Sequence, residues 1–110
     1  MKLSIEVTDC SFGAPAANVE IKLWQQTDIN WLELAVGRTG SDGRLTEWLY
    51  EPLSNGHYQI DISLDDYYAH LGSMPLYLRT IVQFRIIDPT EDLHFPVLVT
   101  PNSFHIYRSG

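Results

Sequence analysis

Residues 3–8 read Leu3-Ser4-Ile5-Glu6-Val7-Thr8, a strict alternation of apolar and polar side chains. Successive side chains of a β-strand point to opposite faces, so this period of two predicts a strand with one buried face. If the apolar side chains face the core, then Ser4, Glu6 and Thr8 face away from it. The stretch therefore predicts both a sheet and a polar outer row.

The same period of two recurs along most of the chain. Alternating runs cover residues 19–24, 58–64, 82–86, 95–99 and 104–107, and a shorter strand is expected over 32–36. Turn-forming residues separate these runs, at 13–15, 41–43, 54–56, 88–89 and 100–102. Short strands at this spacing predict an all-β fold, a sandwich of two antiparallel sheets.

One segment departs from the alternation. Residues 65–72 read Asp65-Asp66-Tyr67-Tyr68-Ala69-His70-Leu71-Gly72. Acids at the N-cap and a closing glycine are typical of helix ends, so we expect one short helix near 65–71.

Length and charge narrow the class of protein. At 110 residues the chain fits one domain, spanning 1–110, and its net charge of −7 repels polyphosphate and anionic lipid. We therefore expect neither a nucleic-acid nor a membrane partner, and no apolar run approaches the ~20 residues of a membrane span. The lone cysteine, Cys10, permits no internal disulfide and favours a reducing, cytoplasmic compartment.

Motifs for cofactors and metals are absent from the sequence. One cysteine and four scattered histidines make no zinc spacing, and there is no phosphate-binding glycine loop or nucleophile elbow. We expect no metal and no cofactor. The triplet Asp42-Gly43-Arg44 is by itself only a turn.

The polar rows of the last two strands are more informative. His94, Pro96 and Leu98 share one face by strand parity, as do His105 and Tyr107 in the final strand. A face that mixes these side chains is unusual for plain solvent and favours a cleft or a subunit interface.

Five segments in order resemble the transthyretin family, which includes the 5-hydroxyisourate hydrolases. These segments are Leu3–Asp9, Gly13–Val19, Thr39–Arg44, His94–Pro101 and the ending Tyr107-Arg108-Ser109-Gly110. Further similarity at Asp65–Tyr68 and Asp88-Pro89 extends the resemblance over essentially the whole chain.

The resemblance implies a homotetramer with a central channel that takes a small molecule. In the hydrolases the channel holds active sites where water opens the ring of 5-hydroxyisourate, and in the hormone-carrying branch it binds thyroid hormone. Carried over by position, Arg44 matches an active-site arginine and His94 an active-site histidine, while Tyr107 and Arg108 match the tetrapeptide ending.

Three features depart from the family pattern. Glu6 stands where the hydrolases have their first catalytic histidine, and the ending is Ser-Gly in place of Gly-Ser. His105 occupies a position that usually carries a small hydroxyl residue. We expect Glu6 and His105 to belong to one site, a histidine lost from the first strand being compensated in the last.

The residues suggest roles for ring-opening hydrolysis. Such a reaction needs a base for water, a donor for the oxyanion and a proton for the leaving nitrogen. We assign the base to Glu6, the substrate anion or oxyanion to Arg44, and the proton to His94 or His105. Substrate contacts are expected from Thr8, Leu98, Tyr107 and Arg108.

Two other function classes stay open at this point. The charged residues can equally form an interface salt network in a channel that binds a small molecule without catalysis. A purely structural tetramer-forming module is the third possibility, although it gives no reason for a histidine-rich channel.

Overall fold

The computed structural model describes residues 1–109, which form two β-sheets around a shared core and one short helix. The first sheet contains β1 (Leu3–Asp9), β2 (Ala14–Pro15), β5 (Arg44–Leu45), β8 (Leu93–Thr100) and β9 (Ser103–Ile106). The second contains β3 (Glu20–Gln26), β4 (Trp31–Arg38), β6 (Gly56–Ser63) and β7 (Arg79–Ile86). The predicted sandwich is confirmed; Gly110, the end of the terminal motif, lies outside the described residues.

The order of strands brings the two ends of the chain together. The first sheet runs β2-β1-β8-β9, with β5 also paired to β1, and the second runs β4-β3-β6-β7. Strands β1 and β8 are parallel, with Leu3 opposite Leu93 and Asp9 opposite Val99. Every other strand pair within residues 1–109 is antiparallel. Alternation predicts which face a residue occupies but not this parallel pairing.

The core is formed by the inward rows of both sheets. The apolar residues of residues 3–7 are at most 2% exposed, which agrees with the parity predicted from their alternation. Ile21 and Ile60 of the second sheet and Val97 of the first sheet are also fully buried. Truncating such a side chain to alanine typically costs about 2–5 kcal/mol of stability.

The predicted helix is α1 (Leu64–His70). Its N-cap is Ser63, two residues before the predicted Asp65, and makes no side-chain capping bond, so the two acids lie in the first turn instead. The backbone carbonyl of Leu78 takes over the capping role, accepting bonds from the N–H groups of Leu64 and Asp65 at 3.0 and 2.8 Å. Gly72 ends the helical segment with φ of +76°, a conformation that favours glycine.

A buried carboxylate ties this helix to the end of β1. Asp9 accepts a bond from the Tyr67 hydroxyl at 2.9 Å and others from the backbone and hydroxyl of Ser11. Burial raises the pKa of Tyr68 to about 12, and burial together with Asp9 raises the pKa of Tyr67 further. The helix is therefore held by phenols that stay neutral at ordinary pH.

Candidate functional site

The outward side chains of the five-stranded sheet form one surface, called here the first face. Strand register places Ser4 beside His94, and Glu6 between Arg44 and Pro96. The first face consists of Ser4, Glu6, Thr8, Arg44, His94, Pro96, Leu98, His105 and Tyr107. Seven of the eight residues predicted for the site thus lie on it, the exception being Arg108.

A glycine turn places Arg44 on this face. Gly43 has φ of +78°, and a Cβ at this position would stand 2.5 Å from the carbonyl oxygen of Val7. Only glycine lets the turn lie so close to β1. The Asp42 carboxylate accepts a 3.0 Å bond from the Arg44 backbone, and the short β5 then pairs Arg44 with Glu6. The turn predicted from sequence is therefore the device that positions the arginine.

Glu6 and Arg44 form the ion pair at the centre of the first face. The Arg44 Nε donates to Glu6 Oε2 at 2.7 Å, and the two side chains are 56% and 33% exposed. Glu6 Oε1 and the terminal amino groups of Arg44 make no other hydrogen bond within residues 1–109. The pair has no net charge, yet it presents a carboxylate oxygen and guanidinium donors side by side.

Ser4 and His94 form the second polar contact of the first face. The Ser4 hydroxyl lies 2.7 Å from His94 Nδ1, and both side chains are half-buried. The backbone N–H of Ser109 donates to the His94 carbonyl at 2.9 Å, which fixes the strand that carries the ring. A histidine oriented at Nδ1 has its Nε2 available for proton transfer.

His105 lies on the same face, but on β9, the strand at the edge of the sheet. Its partner across the strands is Leu98, and its ring centroid is 5.5 Å from that of Tyr107. Strand β8 separates it from Glu6, by roughly 12 Å between Cα atoms from strand spacing. Within residues 1–109 no hydrogen bond or ion pair joins the two, so their predicted contact is not made inside one chain.

The predicted substrate contacts divide into two groups. Thr8 and Leu98 face each other across β1 and β8, and Tyr107 follows β9 with 48% of its surface exposed. Arg108 instead pairs with Glu91 at 2.9 Å, where both side chains are about half exposed. Strand parity explains the difference, because consecutive residues of an extended chain point to opposite sides.

A cavity of about 610 Å³ opens beside His94. Ser4 and His94 border it, and Trp48 lines it with an indole N–H that donates to the Leu3 carbonyl at 2.9 Å. Glu47 also lines it and has a backbone φ of +53°, which is unusual for a residue other than glycine. Sequence reasoning missed Glu47 and Trp48, because Thr46–Leu49 shows no period, whereas Ser4 had a signal in its parity with Glu6 and His94 was predicted for the site.

Three further features of the described residues concern metal ligands, membrane spans and thiols. No group of three or more His, Cys, Asp or Glu residues within 1–109 is arranged to hold a metal ion. None of the helical residues in that range forms a segment long and apolar enough to cross a membrane. Cys10 is an exposed free thiol.

Known proteins resemble this chain over nearly its full length. A family model described as HIUase/Transthyretin family matches residues 3–109. The 5-hydroxyisourate hydrolase of Halalkalibacterium halodurans is 32% identical over 116 residues, covering 99% of this chain and 98% of the relative. That of Salmonella dublin is 29% identical over 109 residues, covering 98% and 80%.

Solved structures agree with the sequence relatives. The 5-hydroxyisourate hydrolase of Klebsiella pneumoniae superposes with a TM-score of 0.89 and 27% identity, covering 99% of this chain and 98% of the other. Transthyretin from Sparus aurata gives a TM-score of 0.91 at 24% identity, covering 97% and 95%. The second match speaks for the fold alone.

Proposed function

This chain belongs to the HIUase/transthyretin family, and on that premise we propose that it is a hydrolase that opens a small polar heterocycle at a cyclic amide bond. The observation that carries the proposal is the grouping of Ser4, Glu6, Arg44 and His94 on neighbouring strands of the first face. Together they supply a base, an oxyanion donor and an oriented proton carrier. The set is altered from the family pattern, because Glu6 replaces a histidine.

Glu6 and Arg44 act at the carbonyl carbon. Glu6 Oε1 takes a proton from water as the water oxygen bonds to that carbon, while Oε2 stays bonded to Arg44. The terminal amino groups of Arg44 donate to the carbonyl oxygen as it gains negative charge. The ion pair therefore divides the two tasks between adjacent atoms.

His94 completes the reaction at the leaving nitrogen. In its protonated form the ring donates Nδ1–H to the Ser4 hydroxyl and gives its Nε2 proton to the leaving nitrogen as the carbon–nitrogen bond breaks, which leaves a neutral imidazole. Glu6 and His94 are diagonal neighbours, roughly 8 Å apart by strand spacing. The proton gained by Glu6 restores His94 after product leaves, so acids and bases balance over a turnover.

Assembly is part of the proposal. Leu98 and Tyr107 are 37% and 48% exposed on the first face, which is costly for apolar side chains in water. We propose a homotetramer in which the first faces line a channel, and in which His105 of one subunit serves the Glu6 site of another. Light scattering should give four times the chain mass, and a monomer at micromolar concentration would contradict it.

Compartment and pathway follow from the same premise. A cytoplasmic location is supported by the free Cys10 thiol. A role in purine breakdown is supported by the names of the relatives, and urate-oxidation genes beside this one would strengthen it.

Freshly made 5-hydroxyisourate tests the proposal through its ultraviolet decay. We expect weak or absent turnover by the natural chain and recovery in Glu6→His, because one acid–base group contributes about 100- to 10,000-fold. A natural rate equal to that of the relatives would show that Glu6 replaces histidine fully. No turnover in either form would contradict the hydrolase assignment.

The second candidate is a channel that binds a small molecule without catalysis. It is favoured by one observation, the ion pair of Glu6 with Arg44, which leaves only one carboxylate oxygen free. Binding of uncleaved cyclic amides, measured by calorimetry and unaffected by His94→Ala, would support it.

A further inference from the structure

The four-stranded sheet has an outer face that the proposed reaction does not use. At one end of it, a polar row crosses all four strands: Trp31 on β4, Gln26 on β3, His57 on β6 and Arg85 on β7. The next row holds Glu33, Trp24, Gln59 and Gln83. These eight residues are called here the second face.

The first of these rows is a hydrogen-bonded ladder. Arginine can only donate, so His57 Nε2 accepts from Arg85 Nε at 3.4 Å. The neutral ring then carries its proton on Nδ1 and donates to Gln26 Oε1, 3.0 Å away. These two consecutive hydrogen bonds fix the orientation of the guanidinium, the imidazole and the amide relative to one another.

Arg85 differs from the other arginines in its partner. Arg38, Arg44, Arg79 and Arg108 each lie within 4.0 Å of a carboxylate. Within residues 1–109 Arg85 has no such neighbour and bonds only to an imidazole. Because no carboxylate neutralises its charge within the described residues, Arg85 can attract an anion locally.

The unused polar groups of the second face are mostly donors. Arg85 keeps both terminal amino groups, and Gln26 keeps its NH₂, since only its oxygen is bonded. Gln59 likewise has its oxygen occupied by Gln83 at 3.2 Å, which leaves its NH₂ free. The buried indole N–H of Trp24 finds no acceptor in the described residues. A complementary ligand must therefore supply acceptors.

A ring surface lies next to these donors. Trp31 is half-buried and lines a cavity of about 420 Å³ together with Gln26, His57 and Arg85. Indole faces pack against flat or C–H-rich rings. The two terminal amino groups of Arg85 can donate side by side to a planar oxyanion.

We propose that the second face binds a small organic oxyanion that carries a ring, with Arg85 holding the oxyanion and Trp31 the ring. The site is separate from the first face and needs no catalysis there. The ring can be aromatic or a sugar, since both pack against indole, and the experiment distinguishes the two.

Titration of ¹⁵N-labelled protein tests this site. Benzoate and glucuronate supply an oxyanion on an aromatic and on a sugar ring, benzamide is the neutral match, and inorganic phosphate lacks the ring. We expect at least one ring anion to shift the Trp31 indole, Gln26 amide and Arg85 Nε signals, and the stronger of the two identifies the ring type. Benzamide and phosphate should bind more weakly.

Matched variants locate the binding. Arg85→Gln should weaken the ring anion about tenfold, while Arg38→Gln, an ion-paired arginine on the same sheet, should leave it unchanged. Trp31→Leu should weaken the ring anion but not phosphate. Equal affinity in Arg85→Gln, equal binding of benzamide or phosphate, shifts confined to the first face, or no binding of any probe would each overturn the proposal.

Discussion

The first and second faces use the same residue types with different partners. On the first, Arg44 bonds to the carboxylate of Glu6 and His94 contacts a serine hydroxyl. On the second, Arg85 bonds to the imidazole of His57, which bonds to an amide. Glu6 keeps a free carboxylate oxygen that can accept a proton, whereas the free groups around Arg85 are mostly donors that suit an anion. The partner of each arginine, more than its presence, separates a site for chemistry from a site for binding.

The largest expected effect is on turnover and comes from replacing His94 by alanine. His94→Ala should lower turnover about 100- to 10,000-fold, because the leaving nitrogen loses its proton donor. His57→Ala is the matched control and should turn over as the natural chain does. Both variants are assayed at steady state in the Glu6→His background, which gives a measurable rate. Equal losses of turnover in the two variants would contradict the assignment of catalysis to the first face only.

Alkaline pH should destabilise the region around α1 and the end of β1, at the edge of the first face, before it destabilises the second face. The folded protein favours neutral Tyr67 and Tyr68, whose pKa values are raised, so stability is complete below the unfolded pKa near 10 and falls as pH rises toward 12. Raising the pKa of Tyr68 from 10 to about 12 corresponds to about 3 kcal/mol of stability. Hydrogen exchange should show α1 and the end of β1 opening first.

Tyr68→Phe provides the control for this pH dependence. Urea denaturation between pH 9 and pH 12 should then lose stability less steeply. Tyr50→Phe, at a side chain that is 90% exposed, should follow the natural curve. An unchanged slope in Tyr68→Phe would contradict the role of the buried phenol.

Removing one carboxylate should make the first face resemble the second. Glu6→Gln leaves Arg44 without a counter-charge, so phosphate affinity should rise about tenfold while turnover is lost. Glu20→Gln is the control, because its arginine, Arg38, keeps Asp66 at 3.7 Å. Calorimetry that finds the same gain in both variants would show a general charge effect instead.

The smallest effect concerns stability. A double-mutant cycle on Glu6 and Arg44 should give a coupling of about 0.2–1 kcal/mol, because both side chains are partly exposed to water. Thermal denaturation measures it. A coupling above about 2 kcal/mol would indicate that the pair exists to stabilise the fold.

Alternation in the sequence predicts the long strands and their faces because burial has a period of two. It does not predict the two-residue strands β2 and β5, which exist only because they pair with β1. The parallel pairing of β1 with β8 is equally hidden, since a parity pattern is the same in either direction. Residue parity still grouped the outward residues of each long strand of the first face, whereas Arg44 was assigned from the family resemblance.

The site was less predictable where partners come from distant segments. The contact of Arg44 with Glu6 depends on a glycine turn, and that of Arg108 with Glu91 on the direction in which the last residues leave β9. The ladder of His57 and Arg85 carried no motif at all, because each residue is an ordinary polar position in its own strand.

The pairing of β1 with β8 also affects the order in which the two sheets can fold. Leu3 meets Leu93 across 90 positions of sequence, so loop closure over nearly the whole chain precedes this sheet. Such distant pairings are slow, and during synthesis β1 leaves the ribosome long before its partner exists. The four strands of the second sheet, complete by Ile86, can form first. Ser4 and His94 therefore come together late, and the protein can be extensively folded before it has a first face.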